Sequence, residues 1–285
     1  MFRSLGRNPG KTTSNIQPQT SKQMAISKFQ RTIEKAFTLE GIGLHTGKKV
    51  AATISPAEAN AGVTINGILA TARHVTATNR ATTLGGVALV EHLLSAAYGL
   101  GLDNLTVSIQ GPELPALDGS SLPWVEAFER AGVVELSSEK AYLGLQQPIR
   151  LSAGDSSLEA LPYNGFKLDF MVKFEGVGEQ FLSFDVKKQS YASEIAPART
   201  FGYIEEYEEL KAQGLALGAS ADNALILSRQ GYRNEPRFPD EIVRHKILDL
   251  IGDLALLGRP LKAWIKAVRS GHQLNSELVR RLTDG

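Results

Sequence analysis

Two stretches of the chain, residues 35–75 and 143–174, alternate apolar and polar side chains between glycine-rich breaks. A period of two turns one face of a strand toward a core, so both stretches predict strands joined by hairpins. Other segments carry helical spacing and punctuation. Residues 87–100 are dense in Ala and Leu and stop at Gly99 and Gly101, residues 123–131 open on Pro123 and stop before Gly132, and a long run covers 241–257; all three predict helices. Short apolar runs at 105–109, 224–227 and 263–269 predict strands, 203–213 a helix, and a last helix starts near 273. The order repeats. The helix opening on Val90-Glu91-His92 leads into a strand and a short helix, and so does the helix opening on Val243-Arg244-His245. This repeat predicts two halves built alike, with His92 and His245 at equivalent helix starts.

The chemistry concentrates in His245-Lys246-Ile247-Leu248-Asp249. Positions four apart share a helix face, so His245 and Asp249 can converge on one cation. A catalytic zinc takes three protein ligands and keeps a fourth position open. The third must come from elsewhere among five histidines, at 45, 74, 92, 245 and 272. His92 stands out because Glu91 precedes it, and a carboxylate beside a metal ligand is placed to accept a proton from water. His272, in Ser270-Gly271-His272, lies where a strand turns into a helix, and a histidine there can serve as general acid. Taken alone, a helical HxxxD is more often a solvated i,i+4 pair, and a Glu-His dipeptide is a weaker signal still. His74 has no motif around it and reads as a bystander.

Composition narrows the classes. The chain has 285 residues, 42% hydrophobic and 21% charged, enough for one or two domains and a buried core. A net charge of +1 gives no basic field for a nucleic-acid partner. With no cysteine, a metal site must use His, Asp or Glu. No apolar run reaches the ~18–20 residues of a membrane helix. Residues 1–33 are polar and basic, with no acid before Glu34, and read as a leader: a disordered tail, an over-annotated start with Met24 as the alternative, or a transit peptide. The glycines of 41–48 match neither a P-loop nor a dinucleotide fingerprint and read as a tight hairpin.

Eight segments in order match one family: GIGLHTGKK at 41–49, VEHLLSA at 90–96, LDNLTVSI at 102–109, ELPALDGSSLPWV at 113–125, PYNGFKLDF at 162–170, ARTFGY at 198–203, RFPDEIVRHKILDLIGDLALLG at 237–258 and SGHQLNSELV at 270–279. Together they span nearly the whole chain, which resembles the UDP-3-O-acyl-N-acetylglucosamine deacetylases, metal amidases of lipid A biosynthesis. The resemblance implies an α+β fold of two similar domains, at 34–138 and 139–285, with helices packed between two outer sheets. It implies zinc, with ferrous iron as the alternative, on His92, His245 and Asp249. It makes Glu91 the general base and His272 the general acid, with Asp253 orienting His272. Thr200 is implied at the oxyanion, Phe201 against sugar or uracil, and His45 near substrate. Lys246, pointing to a different side of its helix from His245, is implied to contact a phosphate or sugar oxygen. Residues 203–220 correspond to a wall of an acyl channel. The implied partner is a small molecule, an acylated UDP-amino sugar, handled by a cytoplasmic monomer, with organelle import by the leader as the alternative. The rival readings are a metal amidase for another acylated amino sugar and a non-catalytic binder of acylated sugar nucleotides. The family often has threonine where this chain has Leu89.

Overall fold

The computed structural model of the chain describes residues 27–284. Two sheets share one plan. The first runs in the order Phe37–Ile42, Lys49–Pro56, Leu105–Gln110, Val63–Ile65, Ile68–Leu69. The second runs Ile149–Ala153, Ser156–Pro162, Leu261–Val268, Phe166–Phe174, Gly178–Asp185, and Leu143–Gly144 also pairs with Leu261–Val268. In each, a late strand is inserted between two hairpins, antiparallel to one neighbour and parallel to the other.

The helices are α1 (Val90–Gly99), α2 (Leu122–Ala131), α3 (Tyr191–Glu194), α4 (Tyr207–Ala212), α5 (Glu241–Ala255) and α6 (His272–Asp284). The parallel step into each late strand needs a crossover, and α1 and α5 supply it; α2 and α6 follow those strands. The repeat read from the sequence is therefore a repeat of topology. Each late strand alternates buried and more exposed positions, Leu105, Val107 and Ile109 in the first sheet and Leu261, Ala263, Ile265 and Ala267 in the second. These faces and α1, α2, α3, α5 and α6 belong to one core, the α+β arrangement with helices packed between two sheets, while α4 buries no side chain.

α1 and α5 are apolar nearly all round, as interior helices must be. They meet at close range. A Cβ at Gly252 would collide with the Glu91 carbonyl, so glycine is what lets the backbones touch. Ser95 Oγ also donates to the Leu248 carbonyl at 2.8 Å.

Several elements differ from the pattern reading. Residues 1–26 of the expected leader lie outside the described residues, but Phe29–Ile33 form a strand paired with Val133–Glu139, so the leader does not extend to 33. The cause is Ile33, fully buried, and Thr32, whose Oγ1 donates to the Asn104 carbonyl at 2.7 Å. α1 begins at Val90 rather than 87 because Leu89 sits at φ 62°, a left-handed conformation that no helix interior tolerates. The expected helix at 203–213 is shortened to α4, preceded by a strand at Phe201–Tyr203 and a 3₁₀ turn at Ile204–Glu206.

Candidate active site

α5 places His245, Asp249 and Asp253 one turn apart along a single face. His245 Nε2 lies 3.3 Å from Asp249 Oδ1, and its Nδ1 donates to the Ala198 carbonyl at 3.1 Å. That backbone bond fixes the tautomer and leaves Nε2 free to accept a metal. His92, from the first turn of α1, points its Nε2 to 3.9 Å from the same Asp249 oxygen, and the two imidazoles meet edge to face at 5.1 Å. The His92 ring makes no hydrogen bond among the described residues. One ligand atom from each of His92, His245 and Asp249 can be chosen so that all lie within 4.8 Å of one another, and all three residues are buried. A close approach of two helices from different halves thus creates a three-donor cluster.

Glu91, Asp249 and His272 form a second such group on the same carboxylate. His272 Nε2 stands 3.9 Å from Glu91 Oε1 and 3.9 Å from Asp249 Oδ2. Its Nδ1 is bonded to Asp253 Oδ2 at 2.8 Å, so Nε2 is the nitrogen presented to the cluster. Thr82 ties base and acid together. Its backbone N–H donates to Glu91 Oε2 at 3.0 Å, and its hydroxyl donates to Asp253 Oδ1 at 2.5 Å. Asn275 donates to Asp253 Oδ2 at 2.8 Å and is itself held by Ser270, whose hydroxyl donates to Asn275 Oδ1 at 2.6 Å.

Burial sorts the charges. Desolvation pushes Glu91 up to about 7, against the pull of His272. Burial, reinforced by His245, drives His92 down to about 3, and burial also lowers His245. Both imidazoles are therefore neutral, as metal ligands must be. Burial opposes ionisation of Asp249, but His245, Lys246 and His272 outweigh it and hold its carboxyl below the usual range. Burial likewise opposes the His272 cation, yet the charge and hydrogen bond of Asp253 carry it up to about 9. Two neutral imidazoles and one carboxylate, buried and convergent, are the donor set that zinc or ferrous iron accepts.

Other residues singled out in the sequence lie at varied remove. Phe201 packs edge-on against His245 with ring centroids 5.9 Å apart. Thr200, next in the chain, is fixed by its backbone, its N–H donating to Gly119 at 2.7 Å and its carbonyl accepting from Leu225 at 2.8 Å. Lys246 does not point away from the cluster: its long stem folds back so that Nζ contacts Asp249 Oδ2 at 2.7 Å, the i,i+3 neighbour on the helix. His45 sits in the hairpin turn, where the backbone N–H groups of His45 and Thr46 donate to the buried Glu113 carboxylate at 3.0 and 2.7 Å. Its own Nδ1 is buried without a hydrogen-bond partner, and burial lowers its pKa. His74 is exposed and donates to the Leu69 carbonyl at 2.7 Å, outside the cluster. The pattern reading missed Thr82, Ser270 and Asn275. Thr82 and Ser270 lie in irregular segments and carry no periodic signal, Asn275 is one polar position among several in α6, and Thr82 meets Asp253 across 171 positions of chain.

A sequence model of the UDP-3-O-acyl N-acetylglycosamine deacetylase family matches residues 30–284. The protein named UDP-3-O-acyl-N-acetylglucosamine deacetylase from Citrifermentans bemidjiense is 41% identical over 270 residues, covering 89% of this chain and 88% of its own. The protein of the same name from Coxiella burnetii (strain RSA 493) is 40% identical over 271 residues, covering 89% of each chain. That from Geotalea uraniireducens is 39% identical over 270 residues, covering 89% and 88%. With the match running from the first described strand to the end of the last helix, this chain belongs to the UDP-3-O-acyl-N-acetylglucosamine deacetylase family.

Proposed function

We propose that the protein hydrolyses the acetamide of a UDP-3-O-acyl-N-acetylglucosamine, releasing acetate and the free 2-amine, the committed step of lipid A biosynthesis. His92, His245 and Asp249 would hold the metal, zinc in the first instance and ferrous iron as the alternative. One observation carries the reading: a buried carboxyl poised near 7 and a buried imidazolium near 9 stand 3.9 Å apart on the Asp249 carboxylate of the three-donor cluster. A cation bound there supplies water of lowered pKa and a Lewis-acid contact for the amide oxygen.

The protein's own groups do the proton work. Glu91 accepts a proton from the attacking water at Oε1, the oxygen facing His272, while Thr82 N–H holds Oε2. His272 delivers a proton from Nε2 to the leaving nitrogen, its Nδ1 anchored on Asp253. The Thr200 hydroxyl would add a donor for the developing oxyanion. Phe201, edge-on to His245, would offer an apolar face for sugar or uracil. Lys246 and His45 would meet polar groups of the nucleotide sugar. The reading takes the enzyme to be a cytoplasmic monomer; among the described residues no helix is long and apolar enough to cross a membrane.

Purified protein incubated with the acylated UDP-amino sugar should release acetate stoichiometrically. Dialysis against a chelator should abolish release, and divalent zinc or iron should restore it. Binding of the substrate without acetate release would support the non-catalytic reading instead.

A further inference from the structure

A cavity of about 590 Å³ lies across α1 from the metal cluster. At about 100° per residue, Leu94, Ala97 and Tyr98 project roughly 140–240° round the helix from His92, so α1 carries the reacting groups on one face and this cavity on the other. No residue of the metal or acid–base groups lines it. Leu69, Leu94, Ala97, Tyr98 and Phe166 make an apolar wall, and the volume falls within the roughly 300–1,000 Å³ of small-ligand sites.

The charges in its lining are one-sided. Lys140, Arg259 and Lys262 face a single carboxylate, Asp103, giving three minus one, or +2, in a chain whose whole net charge is +1. Asp103 is already paired with Lys140 at 2.8 Å. The C-terminal ends of α1 and α5 border the cavity and contribute about half a negative charge each, which leaves the lining cationic by roughly one. Arg259 is exposed and makes no ion pair or hydrogen bond among the described residues, and Lys262 rests over the Tyr142 ring at 4.8 Å. An apolar pocket with unneutralised cations calls for a ligand with an apolar tail and an anionic head.

We propose that this cavity binds an anionic amphiphile, a medium-chain carboxylate with its tail against Leu69 and Tyr98 and its head at Arg259 and Lys262. The proposal does not depend on the deacetylase reading, because the two sites share no residue. Titration calorimetry of the full chain with decanoate, below its micelle concentration, should show saturable one-to-one binding. Decyltrimethylammonium, with the same tail and the opposite head charge, should not bind. Charge reversal by Arg259→Glu with Lys262→Glu should weaken decanoate at least tenfold and leave acetate release unchanged. Leu69→Asp, at the apolar wall, should weaken it independently. Binding should persist when the metal cluster is saturated with a chelating hydroxamate. Displacement by the hydroxamate, equal binding of both head groups, or undiminished binding by both folded variants would overturn the proposal.

Discussion

Glu91 and His92 are neighbours in the chain, both buried, and burial drives them in opposite senses. The carboxyl becomes a weaker acid and the imidazole a weaker base, so one is suited to take up a proton and the other to bind metal. Single substitutions should separate the two roles. His245→Ala should lose metal and activity together, read by metal analysis beside acetate release; full occupancy in that variant would remove His245 from the ligand set. Glu91→Ala should keep its metal and lose about two to four decades of rate. The pH profile follows from the same shifts. In the proposed roles Glu91 works ionised, so activity should fall as pH drops through its pKa; His272 works protonated, so activity should fall as pH rises through its own. The metal-free values are about 7 and about 9. A bound cation favours the carboxylate and disfavours the imidazolium, so the kcat/KM profile of the loaded enzyme should be a bell with both limbs below those values. A His272→Gln variant that retained the alkaline limb would assign that limb elsewhere. Sequence made the clustered residues legible through helical spacing and a dipeptide. It left Thr82 and Asn275 hidden, because their roles exist only once Asp253 has been brought to them by tertiary folding.

At the scale of elements, the site depends on how closely α1 crosses α5. Gly252→Ala would gain about 1 kcal/mol of helix propensity but press a methyl group on the Glu91 carbonyl, an overpacking cost of about 1–3 kcal/mol. Backbone cannot rotate out of the way as a side chain can, so the cost should dominate. Urea unfolding should show a net loss of up to about 2 kcal/mol, and kcat should fall as Glu91 shifts. A variant with unchanged stability and turnover would mean that the helices separate freely. The N-terminus gives a second test. A protein starting at Met24 should fold and turn over normally, whereas one lacking residues through Ile33 should unfold more easily, since it loses a buried isoleucine and the pairing of Phe29–Ile33 with Val133–Glu139. Equal melting temperatures for the two truncations would contradict this. The long helices and the late strands were plain in the pattern because one face repeats over many residues. The strand at Phe29–Ile33 was not, since five residues inside a basic, polar stretch give too few periods, and Leu89 gave no warning that it would break the helical run.

At the scale of the molecule, the three-donor cluster belongs to both halves: His92 comes with the first sheet's crossover helix, His245 and Asp249 with the second's. An inhibitor that grips the metal and also reaches along the surface should exploit this shared position. Residues 215–218 dock on the hairpin turn, the Leu217 and Gly218 N–H groups donating to the His45 and Leu44 carbonyls at 3.0 Å each. There Ile42 and Leu217 remain 41% and 45% exposed, the apolar surface that the proposed function would give to the acyl chain. A hydroxamate bearing an alkyl tail should chelate the metal and lay its tail on this surface, and the second contact costs little additional entropy because a short linker makes it intramolecular. Each methylene buried should add about 0.8 kcal/mol, roughly fourfold in affinity, until the apolar surface is covered. Leu217→Asp should weaken the tailed compound by a decade or more while leaving acetohydroxamate unaffected. Inhibition constants for a homologous series on the two proteins would measure this directly. Equal potency with and without a tail would argue against an acyl subsite beside His45 and would move the substrate toward an amino sugar without an acyl chain.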